Sequence, residues 1–320
     1  MRMAVPVLIL VATAACTSMP SSQSPDLARN EVHCVAPAGW DAISERDPHF
    51  VVFGELHGTR EAPDFFGSLA CNLASNGQRL LIGIEFSPIF EEALQEAWNA
   101  DEAKFDSLLL EAGWKGREDG VASEAMFEMV RKLHRLKTAG HAIDITAFNG
   151  IGSEAQGKKF DSLPGQGPHE AAQAENLAMS AAAGRYDRVL VLVGNFHATR
   201  RSMDFGTGLF EPMAKRLEQY GSVVTLTAKN APGTSWNCQR REGYDIEKDG
   251  PPTNDDIRCG ARATGGIDSL GSDRFISLYE NNRDPEGTGL DGFFWIGEIT
   301  ASPPQAPLEK SANAGASVSD

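Results

Sequence analysis

Positive charge is scarce in this sequence. Its 320 residues carry 29 lysines and arginines against 44 aspartates and glutamates, a formal net charge of −15. No basic stripe interrupts that balance, so a surface that tracks phosphates is excluded, and nucleic-acid binding with it. An acidic surface favours solubility and says little about fold. Several catalytic signatures are missing as well. No Gly-x-Ser-x-Gly elbow occurs, which removes the usual setting of a nucleophilic serine. No Gly-x-Gly-x-x-Gly turn follows a strand and there is no P-loop, so nucleotide binding has no support. The cysteine spacings are far from Cys-x-x-Cys, which speaks against a zinc cluster. Beyond the N-terminus no segment is apolar for long enough to span a bilayer.

What is present begins with a targeting segment. Arg2 supplies a positive charge and Ala4 to Ala15 an apolar stretch too short for a membrane helix. It ends in Thr13-Ala14-Ala15-Cys16, small residues before a cysteine as in a bacterial lipobox, with Cys16 as the lipidated residue. The alternative is an ordinary signal peptide cleaved nearby. Residues 17–47 then read as tether and lead-in, 48–300 as a single α/β domain and 301–320 as a disordered tail. Of the five cysteines, Cys34, Cys71, Cys238 and Cys259 follow Cys16, and an even count in an exported protein suggests disulfides. Three pairings can be drawn. Proximity favours Cys238–Cys259, which leaves Cys34–Cys71.

Short apolar runs alternate with amphipathic segments. Strands are expected at Phe50–Phe53, Arg79–Glu85, Ala142–Phe148, Asp187–Val193 and Ser222–Ala228, with two more near Arg274–Leu278 and Gly292–Ile299. Helices are expected between them. The stretch Gly150–Pro168 has no periodicity and reads as a long loop, either a lid or a surface excursion. The alternation implies a mostly parallel central sheet with helices on both faces, and a short C-terminal β extension stapled by a disulfide.

In parallel sheets ligands bind at the carboxyl ends of the strands. Four strand ends here carry polar residues: Glu55 and His57 after the first, Glu85 after the second, Asn149 after the third, Asn195 and His197 after the fourth. All should open onto one edge. Two imidazoles and one or two carboxylates suit a borderline divalent metal such as zinc, manganese or cobalt, with His57, Glu85 and His197 as ligands and Glu55 as general base or fourth ligand. A metal-free reading has His57 as general base oriented by Glu55 or Glu85, with His197 stabilising charge. Asn149 and Asn195 are candidates for holding a bound cofactor. The partner is expected to be a small-molecule or peptide substrate, with membrane contact only through a lipid anchor.

Gly54-Glu55-Leu56-His57, Glu85, the helical Glu175-Asn176 and Gly194-Asn195-Phe196-His197 together resemble the Tiki/ChaN-like superfamily, which includes erythromycin-esterase-like enzymes. The likeness covers roughly residues 48–230. It implies an α/β/α fold. For Tiki-type members it implies a metal-dependent protease with the paired histidines and a glutamate at the metal. For ChaN-type members it implies a haem-binding lipoprotein of bacterial iron uptake, which the lipobox at Cys16 suits. The chain departs from both patterns. The haem branch relies on a tyrosine ligand, and Tyr186, Tyr220, Tyr244 and Tyr279 all lie away from the motifs. The esterase branch has one more residue between the glutamate and the histidine of the first motif.

Overall fold

The computed structural model describes residues 34–280 and 284–307; the signal segment, Cys16 and most of the tether lie outside the described residues, as does the chain from 308 onward. The apolar runs become strands β1 (Phe50–Glu55), β2 (Leu80–Ile84), β3 (Ile143–Ala147), β4 (Arg188–Gly194) and β5 (Val223–Ala231). Every residue of β1, β2 and β4 is buried, which is why these runs are continuously apolar and do not alternate. The helices between and around them are α1 (Trp40–Ser44), α2 (Glu61–Ser75), α3 (Glu91–Trp98), α4 (Glu102–Leu109), α5 (Glu124–Thr138), α6 (Glu154–Phe160), α7 (Gly167–Ala183) and α8 (Met213–Leu217). Four further strands follow: β6 (Gly233–Arg240), β7 (Ile257–Thr264), β8 (Phe275–Leu278) and β9 (Gly292–Glu298).

The main sheet has seven strands in the order β3-β2-β4-β1-β5-β9-β8. All neighbours run parallel except β8, which is antiparallel to β9. Successive side chains of a strand point to opposite faces, and the two faces bury different helices. Val51, Phe53, Ile82 and Leu190 pack with Phe66 and Leu69 of α2 and Met126 and Val130 of α5. Val52, Leu81, Val189 and Val191 pack with Leu177 of α7 and Met213 and Leu217 of α8. Helix α5 starts where Ser123 accepts the Met126 N–H at 3.3 Å, and α4 where Asp101 accepts that of Lys104 at 3.1 Å. The four strands that carry the motifs therefore finish at one edge, as expected.

One segment differs from its expected form. The aperiodic stretch 150–168 contains α6, capped by Ser153 and held by Gln156, whose amide donates to Glu175 and Asn176 of α7 at 2.9 and 2.8 Å. Its stability comes from tertiary hydrogen bonds, which leave no periodic apolar signal. The expected β extension stapled by a disulfide is the antiparallel pair β6 with β7, in which Cys238 and Cys259 stand opposite each other and are disulfide-bonded, their Cα atoms 3.9 Å apart. Parts of the lead-in and of segment 301–307 that lie within the described residues pack against the domain. Trp40 and Ile43 are core residues, and Cys34 is disulfide-bonded to Cys71 of α2. Ser302 is buried, its N–H donating to Gly58 at 2.8 Å and its hydroxyl accepting from Ala125 at 2.9 Å.

Candidate functional site

Glu55 is the last residue of β1 and is 3% exposed. Three residues on, the chain turns at Gly58, whose φ of 77° is left-handed. The turn folds the His57 ring back so that its Nδ1 makes a short hydrogen bond to Glu55. A side chain at Gly58 would also run into the Trp236 carbonyl, which lies 2.0 Å from the place of a Cβ. On its other side, Nε2 of His57 is 3.3 Å from Glu85 Oε2. Glu85 follows the last residue of β2, is 5% exposed, and accepts the Gly194 N–H at 2.7 Å on that same oxygen. Its other oxygen lies 3.5 Å from Nε2 of His197, which follows β4. The Nδ1–H of His197 in turn donates to Glu170 in the first turn of α7, at 2.9 Å. Five groups from four elements thus form one row: Glu55, His57, Glu85, His197, Glu170.

Gly194 lies beneath the centre of this row. A Cβ there would come within 2.9 Å of His57 Nε2 and 3.6 Å of a ring carbon of His197. Only a bare Cα lets both rings close over Glu85.

The electrostatics follow from the row. Burial alone would lower the His57 pKa, but the charges of Glu55 and Glu85 and their hydrogen bonds outweigh it and hold the imidazole well above 6.5. Burial would likewise raise Glu85. The His57 and His197 imidazoles and the Gly194 N–H overcome that and bring its carboxyl down to about 2. The row thus favours the imidazolium form of His57 and the ionised form of Glu85. His169, beside Glu170, is pushed below its ordinary value, chiefly by burial.

Of the residues expected at the site, Glu55, His57, Glu85 and His197 come together. Asn149 and Asn195 serve the framework. The Asn149 side chain accepts from Gln173 at 2.8 Å, and Asn195 accepts from Thr227 at 2.9 Å while its N–H binds the Glu55 carbonyl at 3.0 Å. The helical pair Glu175-Asn176 stands apart from the row. Glu175 is tied to Lys159 and Gln156, and Asn176 donates to the carbonyls of Phe148 and Gly150. The carboxylate that α7 contributes is Glu170, which the sequence reading missed. An alanine-rich helix has no apolar stripe to show which face turns inward, and the signal that was there is the dipeptide His169-Glu170 at the helix start. Arg117 pairs with Asp119 at 2.8 Å, and Arg200 with Asp291 at 2.9 Å, so neither is a free cation at the row. Tyr186 donates to Asp144, Tyr244 to Gly250, and Tyr279 packs on Phe293.

The expected metal ligands His57, Glu85 and His197 lie side by side in the row. Glu85 stands between the imidazoles, and both ring nitrogens of His57 are occupied by carboxylates. Among the described residues, the set of three whose donor atoms all lie within 4.8 Å of one another is His169, Glu170 and His197. Only His197 is common to both.

Comparison with solved structures shows the fold to be a known one. An erythromycin esterase, EreC, in its open conformation superposes with a TM-score of 0.58 at 11% identity, over 82% of this chain and 94% of that one. A protein from Bacillus cereus gives 0.52 at 11% identity, over 81% and 90% of the two chains. A succinoglycan biosynthesis protein gives 0.51 at 12% identity, over the same shares. The resemblance read from the motifs thus holds at the level of the fold. No protein-family model matches the sequence, and no curated protein matches it.

Proposed function

We propose that this protein is a hydrolase that activates water with His57 and Glu85. The observation that carries this reading is the Glu85 carboxylate set between two imidazole Nε2 atoms whose Nδ1 atoms are each backed by a further carboxylate. The row is reached from outside at one member. The His57 side chain is 30% exposed, against 3% for Glu55, 7% for Glu85, 6% for His197 and none for Glu170. Substrate and water meet the row at His57.

In the resting state His57 holds a proton at Nε2, facing Glu85. Once that proton is released, Nε2 takes a proton from a water molecule as the water attacks the carbonyl carbon of the substrate. Glu55 at Nδ1 keeps the ring in orientation and balances the charge that forms on it. The proton then passes from Nε2 to the leaving oxygen, and the cleaved bond is hydrolysed. Glu85 is kept in place from behind by His197, which Glu170 orients. One protein of this fold is named an erythromycin esterase, which supports an ester as the first bond to test.

The test is a panel of p-nitrophenyl esters, lactones and peptides. His57→Ala should lower kcat/KM by about 10²–10⁴-fold, the usual worth of a positioned acid–base group. The wild-type rate should climb with pH through the raised His57 pKa, above 6.5. A His57→Ala protein as fast as wild type would remove the proposal.

The same proposal places the protein in the bacterial envelope, on the periplasmic side, held to the outer membrane by a lipid on Cys16. Two disulfides support an oxidising compartment. Cys16→Ser should move the protein from the membrane fraction to the soluble one, and an unchanged distribution would refute the anchor.

A further inference from the structure

Glu170 is wholly buried. A buried carboxylate is costly unless its oxygens are satisfied. Oε2 accepts the Met213 N–H at 2.8 Å and the Nδ1–H of His197 at 2.9 Å. Oε1 is buried, lies 2.9 Å from the same Nδ1 and has no further partner. The residue before it, His169, lies in the same first turn of α7, and its ring centre is 5.9 Å from that of His197. One turn further along, Gln173 is also fully buried. Its amide nitrogen lies 3.0 Å from His169 Nε2 and 2.8 Å from Asn149 Oδ1, while its own Oε1 has no partner. A buried carboxylate that shares one imidazole N–H between its two oxygens, and a buried amide oxygen with no partner, therefore adjoin two imidazoles.

We propose that His169, Glu170 and His197 bind a divalent cation of the zinc, manganese or cobalt kind. Their donor atoms already lie within 4.8 Å of one another, and a neutral imidazole pair with one carboxylate is the donor set such borderline ions prefer. His197 would ligate through Nδ1, the nitrogen beside Glu170, and the ion would replace the proton that Nδ1 otherwise donates to that carboxylate. Its Nε2–H then faces Glu85 at 3.5 Å, the outer carboxylate that commonly orients a ligating histidine. The site adjoins the hydrolytic row through His197 and Glu85 but does not use His57, so cation binding stands or falls independently of the hydrolase reading.

The test uses the full chain, stripped with a chelator and titrated calorimetrically with zinc chloride, then with cobalt chloride while the visible absorption of the bound ion is recorded. Wild type should bind one equivalent. His169→Ala, a change at a partly exposed position, should weaken binding by more than about 100-fold, beyond the loss typical of an outer-shell partner. It should also abolish the cobalt absorption. His57→Ala should bind within about threefold of wild type. The proposal is overturned by absence of binding in wild type, by undiminished binding in His169→Ala, or by a loss in His57→Ala equal to that in His169→Ala. The last result would return the ion to His57, Glu85 and His197. Circular dichroism of each variant shows that it is folded, and Glu170→Gln, an isosteric change, repeats the test from a second ligand.

Discussion

Replacing Glu85 by glutamine removes one negative charge from between two imidazoles and keeps the oxygen that takes the Gly194 N–H. Its effect can be worked from the row. The carboxyl is brought from an ordinary 4.5 to about 2, by the imidazoles and the Gly194 N–H acting against burial. At roughly 1.4 kcal/mol per unit this is a stabilisation of about 3 kcal/mol, which belongs to the coupled pair with His57 rather than to Glu85 alone. Because the folded-state pKa is depressed, that contribution is complete above 4.5 and is lost as pH falls toward about 2. His57 has the opposite sign. Its pKa is raised above 6.5, so its contribution is complete below 6.5 and fades as pH rises through the raised value. Wild-type stability should therefore be flat between about 4.5 and 6.5 from these two groups and decline on either side. Glu85→Gln should cost about 3 kcal/mol on that plateau, a fall of roughly 6–9 °C in Tm for a domain of this size. The gap should narrow as the solution is made acid. His57, left with Glu55 as its one carboxylate partner, should titrate closer to its ordinary value. Denaturant unfolding of chelator-treated protein at several pH values, with histidine NMR titration, measures both effects. A difference as large near pH 2 as at pH 5.5, or a wild-type His57 that titrates at 6.5, would refute the reasoning.

Other predictions test the scaffold of the site. Gly194→Ala places a methyl group 2.9 Å from His57 Nε2, so the ring must move off Glu85. Turnover of a p-nitrophenyl ester should drop by about 100-fold, as misplaced catalytic groups do, while thermal unfolding changes by no more than about 1–3 kcal/mol for the overpacking; equal turnover would count against the row as the reacting centre. Cys34→Ser with Cys71→Ser opens a loop with a sequence separation of 37 residues. It should cost about 4 kcal/mol in denaturant unfolding if chain entropy dominates, and a cost near zero would mean that the packing of Trp40 and Ile43 alone holds the lead-in.

The sequence disclosed the parts of this molecule that rest on local pattern. The strands β1, β2 and β4 are buried at every residue, so their apolar runs were visible without any knowledge of their neighbours. Parallel order then placed the ends of those strands on one edge, and Glu55, His57, Glu85 and His197 with them. What stayed hidden depends on contacts between distant residues. Helix α6 is held by Gln156 against Glu175 and Asn176, and the β6–β7 pair carries mostly polar residues, so neither shows a hydrophobic period. Glu170 and Glu175 illustrate the limit most sharply. They lie on one helix, five positions apart among alanines, and composition treats them alike. A rotation of about 140° separates them around the helix axis, since each residue turns the chain by about 100°. Glu170 is thereby turned inward to meet His197 and Met213, while Glu175 reaches Lys159 on the more open side. The phase of α7 is set by its packing against β4 and α8 through Leu177 and Met213, contacts made by chain far from either glutamate. The helix therefore owes its part in the site to the sheet it covers. A substitution that altered that packing, such as Leu177→Ala, would reach the histidines through Glu170 without touching them.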